Sequence, residues 1–494
     1  MTVDVDVAVV GAGPVGGLLA GELRLYGVRT VVLEALPEPT GLSKAGTLHA
    51  RTVQTLELRG LIGDPEPPAM AGPAPFHFAG MFGLDLGPLA AGGPALVGSP
   101  QARTEQVFAR RATAGGAEIR RGHEMVGLTE EADRVLLRVR GPAGEYVMSA
   151  RFVVGCDGGR SATRKLAGID FPGTGATVAA LLGEVRLLEP YAAPPGWQRT
   201  PRGWTVIMVN PFGISRVFTI DFRAPHPDRT VPVTLDELRR MAEYITGRPM
   251  PMTDPRWLTR FGDATRQAAT YRRGRVLLAG DAAHVHFPVG GQGLNLGLQD
   301  AVNLAWKLAG EVRGWAPPSL LDSYQAERHP QAARVLHNTR AQLALMNPDP
   351  AVDPLRDLFA DLMRFDPVNR LLGGMISGMD VAYDVGRPDD PLAGRMAPRL
   401  RLVDAGGSHT TLARLLHDGT GLLLDLADRP ELRAAAADWG GRVRVVAAKA
   451  DGEPPAEALL VRPDGYVAWS AAADRPAGPD ELRIALTTWF GLPR

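Results

Sequence analysis

The chain has 494 residues, of which 45% are apolar and 22% charged, and its 54 basic residues balance 54 acidic ones. That length exceeds what one hydrophobic core serves, so two or three domains are expected, and the neutral balance leaves no basic surplus to point to nucleic acid or an anionic membrane. The one cysteine, Cys156, excludes a disulfide framework and fits a reducing compartment.

The opening "VDVAVV" is a short β-branched run that reads as a buried strand. It leads through a glycine turn into the helical pattern "GGLLAGELRLYG" and a second strand, "TVVLE". This β-turn-α-β order begins a doubly wound sheet. "DPEPPAMAGPAP", Asp64 to Pro75, is too rich in proline for either element and reads as a surface excursion. From Phe171 to Ala269 the pattern changes to strands with turns. Within it, "WTVIMVNPFGISRVFTIDF" carries two alternating runs around Asn210 to Gly213, an antiparallel hairpin. "GRVLLAGD" restores the character of the first sheet, and the following segments are helical, with a kink expected at Pro330. The tail offers "GLLLDLA", "PELRAAAADWG", "RVRVVAA" and "EALLVRPDGYVAWS", a small α/β unit closed by an Asp-Gly hairpin. No basic leader and no stretch long enough to span a bilayer is present, so a cytoplasmic protein acting on a small molecule is expected, with no nucleic-acid or membrane partner.

"GAGPVG" matches G-x-G-x-x-G at Gly11, Gly13 and Gly16, with Pro14 and Val15 opening the helix. Alone the pattern is weak. Here it follows a strand, opens a helix and is answered by Glu34 at the end of the next strand, where a carboxylate meets a ribose hydroxyl. The glycines admit a diphosphate to the helix's free N–H groups. Glu34 would repel a 2′-phosphate, which favours FAD or NAD over NADP at this turn. A second glycine-rich helix entry, "GDAAHVHFPVGGQGLN", raises the question of what it grips. Asp281 ends a strand and can accept hydrogen bonds from a ribityl chain. Pro288, Gly291, Gln292, Gly293, Leu294 and Asn295 then run into a helix beginning near Leu294, whose N–H groups suit the anionic edge of a reduced flavin. A loop chosen only for backbone geometry is the competing reading. His284 and His286 form an H-x-H pair, but no neighbouring ligand completes a metal site, so no metal is expected.

In these residues the chain resembles the group A flavoprotein monooxygenases of the para-hydroxybenzoate hydroxylase type, and most of all the hydroxylases of angucycline and anthracycline biosynthesis. Three motifs match in order: "GAGPVG" with Glu34, "GCDGGRSATRK" from Gly155, and "GDAAHVHFPVGGQGLN" from Gly280. The resemblance implies an α/β fold: a discontinuous Rossmann-type FAD domain over 1–170 and 270–390, an inserted β-sheet substrate domain over 171–269, and a thioredoxin-like domain over 391–494. It implies FAD, NADPH or NADH as co-substrate, molecular oxygen, and hydroxylation of a polycyclic aromatic substrate through a C4a-hydroperoxyflavin. Asp157 and Gly158 would serve FAD and nicotinamide, while Gln101 and Arg51 would line the FAD site. Lys44 stands where relatives commonly carry arginine, keeping the charge but losing the bidentate fork. Pro288 and Gly291 would back the ring, with no general base named. His77, Phe78, Met208, Phe218 and Phe287 are candidates to line the substrate pocket, with ordinary core packing the competing reading of each one alone, and Arg216 and Tyr271 are polar candidates. Baeyer-Villiger oxygenation and inactivation of an antibiotic are the competing outcomes. The cysteine-free tail excludes dithiol exchange, leaving packing or contact between two copies as its role.

Overall fold

The computed structural model describes all residues except 1, 2, 63–73, 91, 229, 405, 473, 476 and 494. Most of the proposed surface excursion after Asp64 therefore lies outside the described residues. Its far end, Pro75–Phe78, is a short strand paired with Met81–Asp85.

The β-branched opening Val5–Val10 forms the middle of an eight-stranded sheet, parallel to Thr30–Glu34 on one side and to the end of Gly144–Gly155 on the other. Val276–Leu278 joins it in parallel, far along the chain. Strand register brings the motifs together: Val10 lies opposite Gly155, and Gly155 opposite Leu278, so three separate chain segments leave the sheet side by side at the carboxyl ends of their strands. In open α/β sheets that edge is where ligands bind.

The helices that frame this edge and the second sheet are α1 (Pro14–Leu25), α2 (Ala50–Glu57), α3 (Gln101–Ala114), α4 (Ala162–Leu166), α5 (Leu235–Thr246), α6 (Gln292–Arg313), α7 (Ser323–Met346), α8 (Asp353–Leu362) and α9 (Asp366–Ser377). Glycine lets α1 pack closely on both neighbours. A Cβ on Gly17 would stand 3.3 Å from Phe108 of α3, and one on Gly297 of α6 would stand 2.8 Å from Val15. α6 starts at Gln292, close to the expected Leu294, and α7 carries Pro330 inside one continuous helix.

A five-stranded antiparallel sheet, in the order Gly196–Thr200, Gly203–Met208, Ser215–Asp221, Ala179–Leu187, Met252–Phe261, contains the expected hairpin. One of its faces buries Leu181, Val185, Ile207 and Val217 against Leu238 and Ala242 of α5. That helix was not expected, although "TLDE" is a capping signature: Thr234 Oγ1 accepts from the Glu237 N–H at 3.1 Å. The opposite face turns Trp204 and Ile220 toward Phe78, Phe287 and Met346.

In the tail, Gly421–Asp425 and Val443–Ala450 are parallel across the helix Pro430–Ala436. Ala458–Val461 and Val467–Ala471 add antiparallel strands before the closing helix Pro479–Phe490. Its hairpin turn is wedged into the first unit: Arg462 holds Glu327 of α7 at 2.6 Å and Asp464 at 2.5 Å, while Asp464 accepts from Asn303 of α6 at 3.1 Å. Lys307 of α6 completes this buried cluster at 2.7 Å from Glu327. Among the described residues no helix is long and apolar enough to cross a membrane.

Candidate functional site

The three loops at the sheet edge are sewn together by backbone hydrogen bonds: Gly11 N to Leu33 O at 2.7 Å, Cys156 N to Val10 O at 2.8 Å, and Ala279 N to Gly155 O at 2.9 Å. Two of the glycines are there because nothing larger fits. Gly11 adopts φ +102° with Cys156 O 2.5 Å from its missing Cβ, and a Cβ on Gly16 would stand 1.9 Å from Gly11 O. Gly13 and Gly158 are different, since no heavy atom lies within 4 Å of where their Cβ would be, so both border open space. α1 begins in that space at Pro14 with no side-chain cap and no acidic residue in its first turn. Its N–H groups are left for a ligand. Glu34 reaches over the turn, accepting from Ala12 N at 2.7 Å and Leu36 N at 2.9 Å.

The second glycine segment answers from the same edge. Asp281 is exposed while Ala282 and Ala283 beside it are buried, so the carboxylate faces the cleft. The turn is held from behind by Asp300, which accepts from Gly280 N at 3.2 Å and lies 2.7 Å from both His284 Nε2 and Arg328 Nε. His284 is thereby committed to the core. Pro288 and Gly291 are exposed, and Gly290 and Gly291 take φ +76° and +64°. α6 then starts uncapped, again without an acid in its first turn. α5 shows the contrast, with a threonine cap and both Asp236 and Glu237 in its first turn. Asn295 pins the loop to the chain after Lys44: its Nδ2 donates to Thr47 O at 3.0 Å and Gly291 O at 2.9 Å, and its Oδ1 accepts from His49 N at 2.8 Å. Gln292 is buried, Gly293 faces His286, and Leu294 is half-buried.

His49 was missed by sequence reasoning, and no local signal marks it. Its Nε2 lies 2.8 Å from Gly290 O, a group that only accepts, so Nε2 carries the proton. Burial pushes its pKa down to about 4, keeping the ring neutral. His286 is likewise shifted down by burial, and the Cys156 thiol is shifted up by burial, which favours an inert thiol.

Beyond this loop the Pro75–Asp85 hairpin packs on the five-stranded sheet, and aromatic side chains gather where the two meet. Val206 pairs with Phe218, and Met208 with Arg216, on the sheet face opposite α5. Met208 is 58% exposed, as an uncovered floor requires. His77 stacks on Phe76 at 4.8 Å and leans on Trp197 at 4.3 Å. Arg216 crosses from the sheet to the loop bearing exposed Lys44, donating to the carbonyls of Ser43 and Lys44 and lying 5.2 Å over Phe218. Gln101 secures the same loop, its Oε1 accepting from Ala45 N at 3.2 Å.

Several expected residues sit elsewhere. Arg51 is turned away from the cleft and buried, its guanidinium donating to Gly378 O, Met379 O and Gln54 Oε1. Tyr271 is fully buried and accepts from Gln267 Nε2. Phe78 and Phe287 lie within the core, stacked on Phe359 at 5.1 Å and tilted on Phe261 at 5.9 Å. Asp157 stays at the sheet edge, half-buried, and also braces its own turn, accepting from Ser161 Oγ at 2.6 Å, Thr163 N at 2.9 Å and Thr163 Oγ1 at 3.0 Å, which fixes the start of α4.

Two uncapped helix starts on one sheet edge, glycines bordering open space, and an exposed carboxylate between them fit a long dinucleotide with a ribityl-like middle. With the aromatic cluster between the hairpin and the second sheet, this is the arrangement of an FAD-dependent monooxygenase of the aromatic-ring hydroxylase type. The chain belongs to that family: residues 4–339 match the FAD binding domain and residues 390–493 the aromatic-ring hydroxylase C-terminal domain. It is 45% identical to the 12-dehydrotetracycline 5-monooxygenase/anhydrotetracycline 6-monooxygenase of Streptomyces rimosus subsp. rimosus, over 99% of both chains. It is 44% identical to the rifampicin monooxygenase of Streptomyces venezuelae over 98% of both. The solved structure of CabE, an aromatic hydroxylase from angucycline biosynthesis, superposes with a TM-score of 0.91 at 43% identity, covering 99% of this chain and 100% of that one. The mixed α/β fold is that of the class A flavin hydroxylases.

Proposed function

We propose that this enzyme hydroxylates an aromatic polyketide of the angucycline or anthracycline kind, using NADPH or NADH and O2. The observation that carries the reading is the group of aromatic and apolar side chains, His77, Trp197, Phe218 and Met208, gathered where the Pro75–Asp85 hairpin meets the five-stranded sheet. Such faces suit a flat, polycyclic ligand. The division of labour follows the fold, with a Rossmann-type unit for FAD, an inserted sheet for the substrate, and a thioredoxin-like tail that braces α6 and α7 through Arg462 and Asp464.

When bound, FAD supplies the redox chemistry, taking a hydride from the nicotinamide and passing one oxygen atom of O2 to the substrate. The chain's own residues bind and orient. Gly11, Gly13, Pro14, Val15 and Gly16 present the α1 N–H groups to the diphosphate, and Glu34 accepts from the ribose. Gln101, Lys44, Asp157 and Gly158 shape the middle of the cleft, and Asp281 accepts from the ribityl hydroxyls. Pro288, Gly291, Gln292, Gly293, Leu294 and Asn295 form the ring's seat, where the α6 N–H groups favour negative charge. Neutral His49 holds Gly290 O, so the loop that would seat the ring is fixed without a cation. A bound aromatic substrate would cover exposed Met208 and displace water from the reacting face.

The test is aerobic turnover with NADPH and NADH across a panel of angucycline and anthracycline intermediates, read by mass spectrometry. A product heavier by one oxygen and labelled from 18O2 is expected. A lactone in place of a phenol would reassign the enzyme to Baeyer-Villiger oxygenation. The likeness to rifampicin monooxygenase recommends including rifampicin, whose selective turnover would mark an antibiotic-inactivating enzyme.

A further inference from the structure

The turn joining Pro75–Phe78 to Met81–Asp85 puts Ala79 and Gly80 at φ +54° and +73°. This conformation aims the Gly80 N–H at His77 Nδ1, 3.3 Å away. A backbone N–H only donates, so Nδ1 is the accepting nitrogen and the proton of the neutral ring sits on Nε2. Burial lowers the His77 pKa to about 4, with His49 adding to the effect, so the ring stays neutral at ordinary pH. The imidazole is clamped by Phe76 at 4.8 Å and 13°, by Trp197 at 4.3 Å, and by the edge of Phe82 at 5.8 Å. Among the described residues Nε2 has no hydrogen-bond partner. A single N–H of fixed position is therefore left unpaired among aromatic faces.

A neutral donor between aromatic rings selects a flat ligand with an oxygen acceptor at its edge. It offers no charge to hold an acid and no lone pair for a hydroxyl proton. We propose that His77 Nε2–H donates to a carbonyl oxygen of a quinone or ketone ring in the substrate, and thereby sets which carbon is presented for hydroxylation. This rests on the reading that the enzyme takes aromatic polyketides. The strand and turn hold the ring, so the donor is in place before the ligand arrives.

The experiment titrates the full-length, FAD-loaded enzyme with 1,8-dihydroxyanthraquinone and with 1,8-dihydroxyanthracene, which keeps the phenols and lacks the carbonyls, following flavin absorbance. In His77→Phe the quinone is expected to bind about 10-fold more weakly, the cost of one neutral hydrogen bond, with the anthracene changed by less than about twofold. His77→Gln, whose amide N–H reaches a similar point, should recover most of the quinone affinity. Equal weakening of both probes, or no weakening of the quinone, overturns the assignment. Should His77→Phe fail to retain FAD, the wild type decides, because a quinone preference below about 10-fold refutes the donor. A wild-type enzyme that binds neither probe tells against the polyketide reading itself, and the His77 assignment falls with it.

Discussion

Acidification should unfold this protein through two histidines at the cleft. His49 and His77 are 1% and 7% exposed, and burial lowers the pKa of each to about 4 from an ordinary value of 6.5. Because the unfolded chain binds these protons first, the stability they contribute is present above pH 6.5 and is lost as the pH falls from 6.5 toward 4. A shift of that size amounts to about 3.4 kcal/mol per ring at completion and about 2 kcal/mol at pH 5, so the pair should cost about 4 kcal/mol between pH 7.5 and pH 5. Urea unfolding at saturating FAD, followed by tryptophan fluorescence at the two pH values, measures the loss. His49→Phe/His77→Phe should lose about 4 kcal/mol less than the wild type over the same interval. His286 and His329, also shifted downward, remain in both proteins and cancel in the comparison. If the two proteins lose stability in parallel, the rings are not held neutral and the tautomers assigned from Gly290 O and Gly80 N are wrong.

Gly16→Ala places a Cβ on Gly11 O; the overpacking is worth about 1–3 kcal/mol, and FAD affinity, measured by fluorescence quenching, should fall about 10- to 100-fold. Glu34→Ala frees the Ala12 and Leu36 N–H groups from their anchor, and should weaken FAD about 10-fold while leaving the midpoint of apoprotein unfolding within about 1 kcal/mol of wild type in free energy. Asp300→Ala strands buried Arg328 and His284. It should destabilise the fold by about 3–5 kcal/mol in chemical unfolding and lower FAD content, because the Gly280–Asp281 turn loses its support.

The readings that held rest on short-range physics. Val5–Val10, α1 and Thr30–Glu34 follow from β-branching, glycine placement and apolar spacing, each encoded within a few residues. The hairpin around Asn210 and the tail strands on either side of the Pro430–Ala436 helix were legible for the same reason. α5 was missed although its signal is equally local, a threonine cap with two acids in the first turn. What the sequence could not state is which distant groups would meet. His49 is placed by Asn295 and Gly290, more than two hundred residues away. Arg51, which the resemblance put at the cofactor, is drawn under α9 by two carbonyls just past that helix. Phe78 and Phe287 pack in the core, one of the two roles the sequence left open, since alternation tells which side of a strand an apolar group occupies and not what lies opposite. The alignment of Val10, Gly155 and Leu278 is likewise a product of strand pairing, and it alone brings the three motifs to one edge. Local propensity and steric freedom are properties of neighbouring residues, and so are written in the order of the chain. Hydrogen-bond partners, desolvation and the resulting pKa values depend on the surroundings that folding assembles, and exist only once the chain has closed on itself.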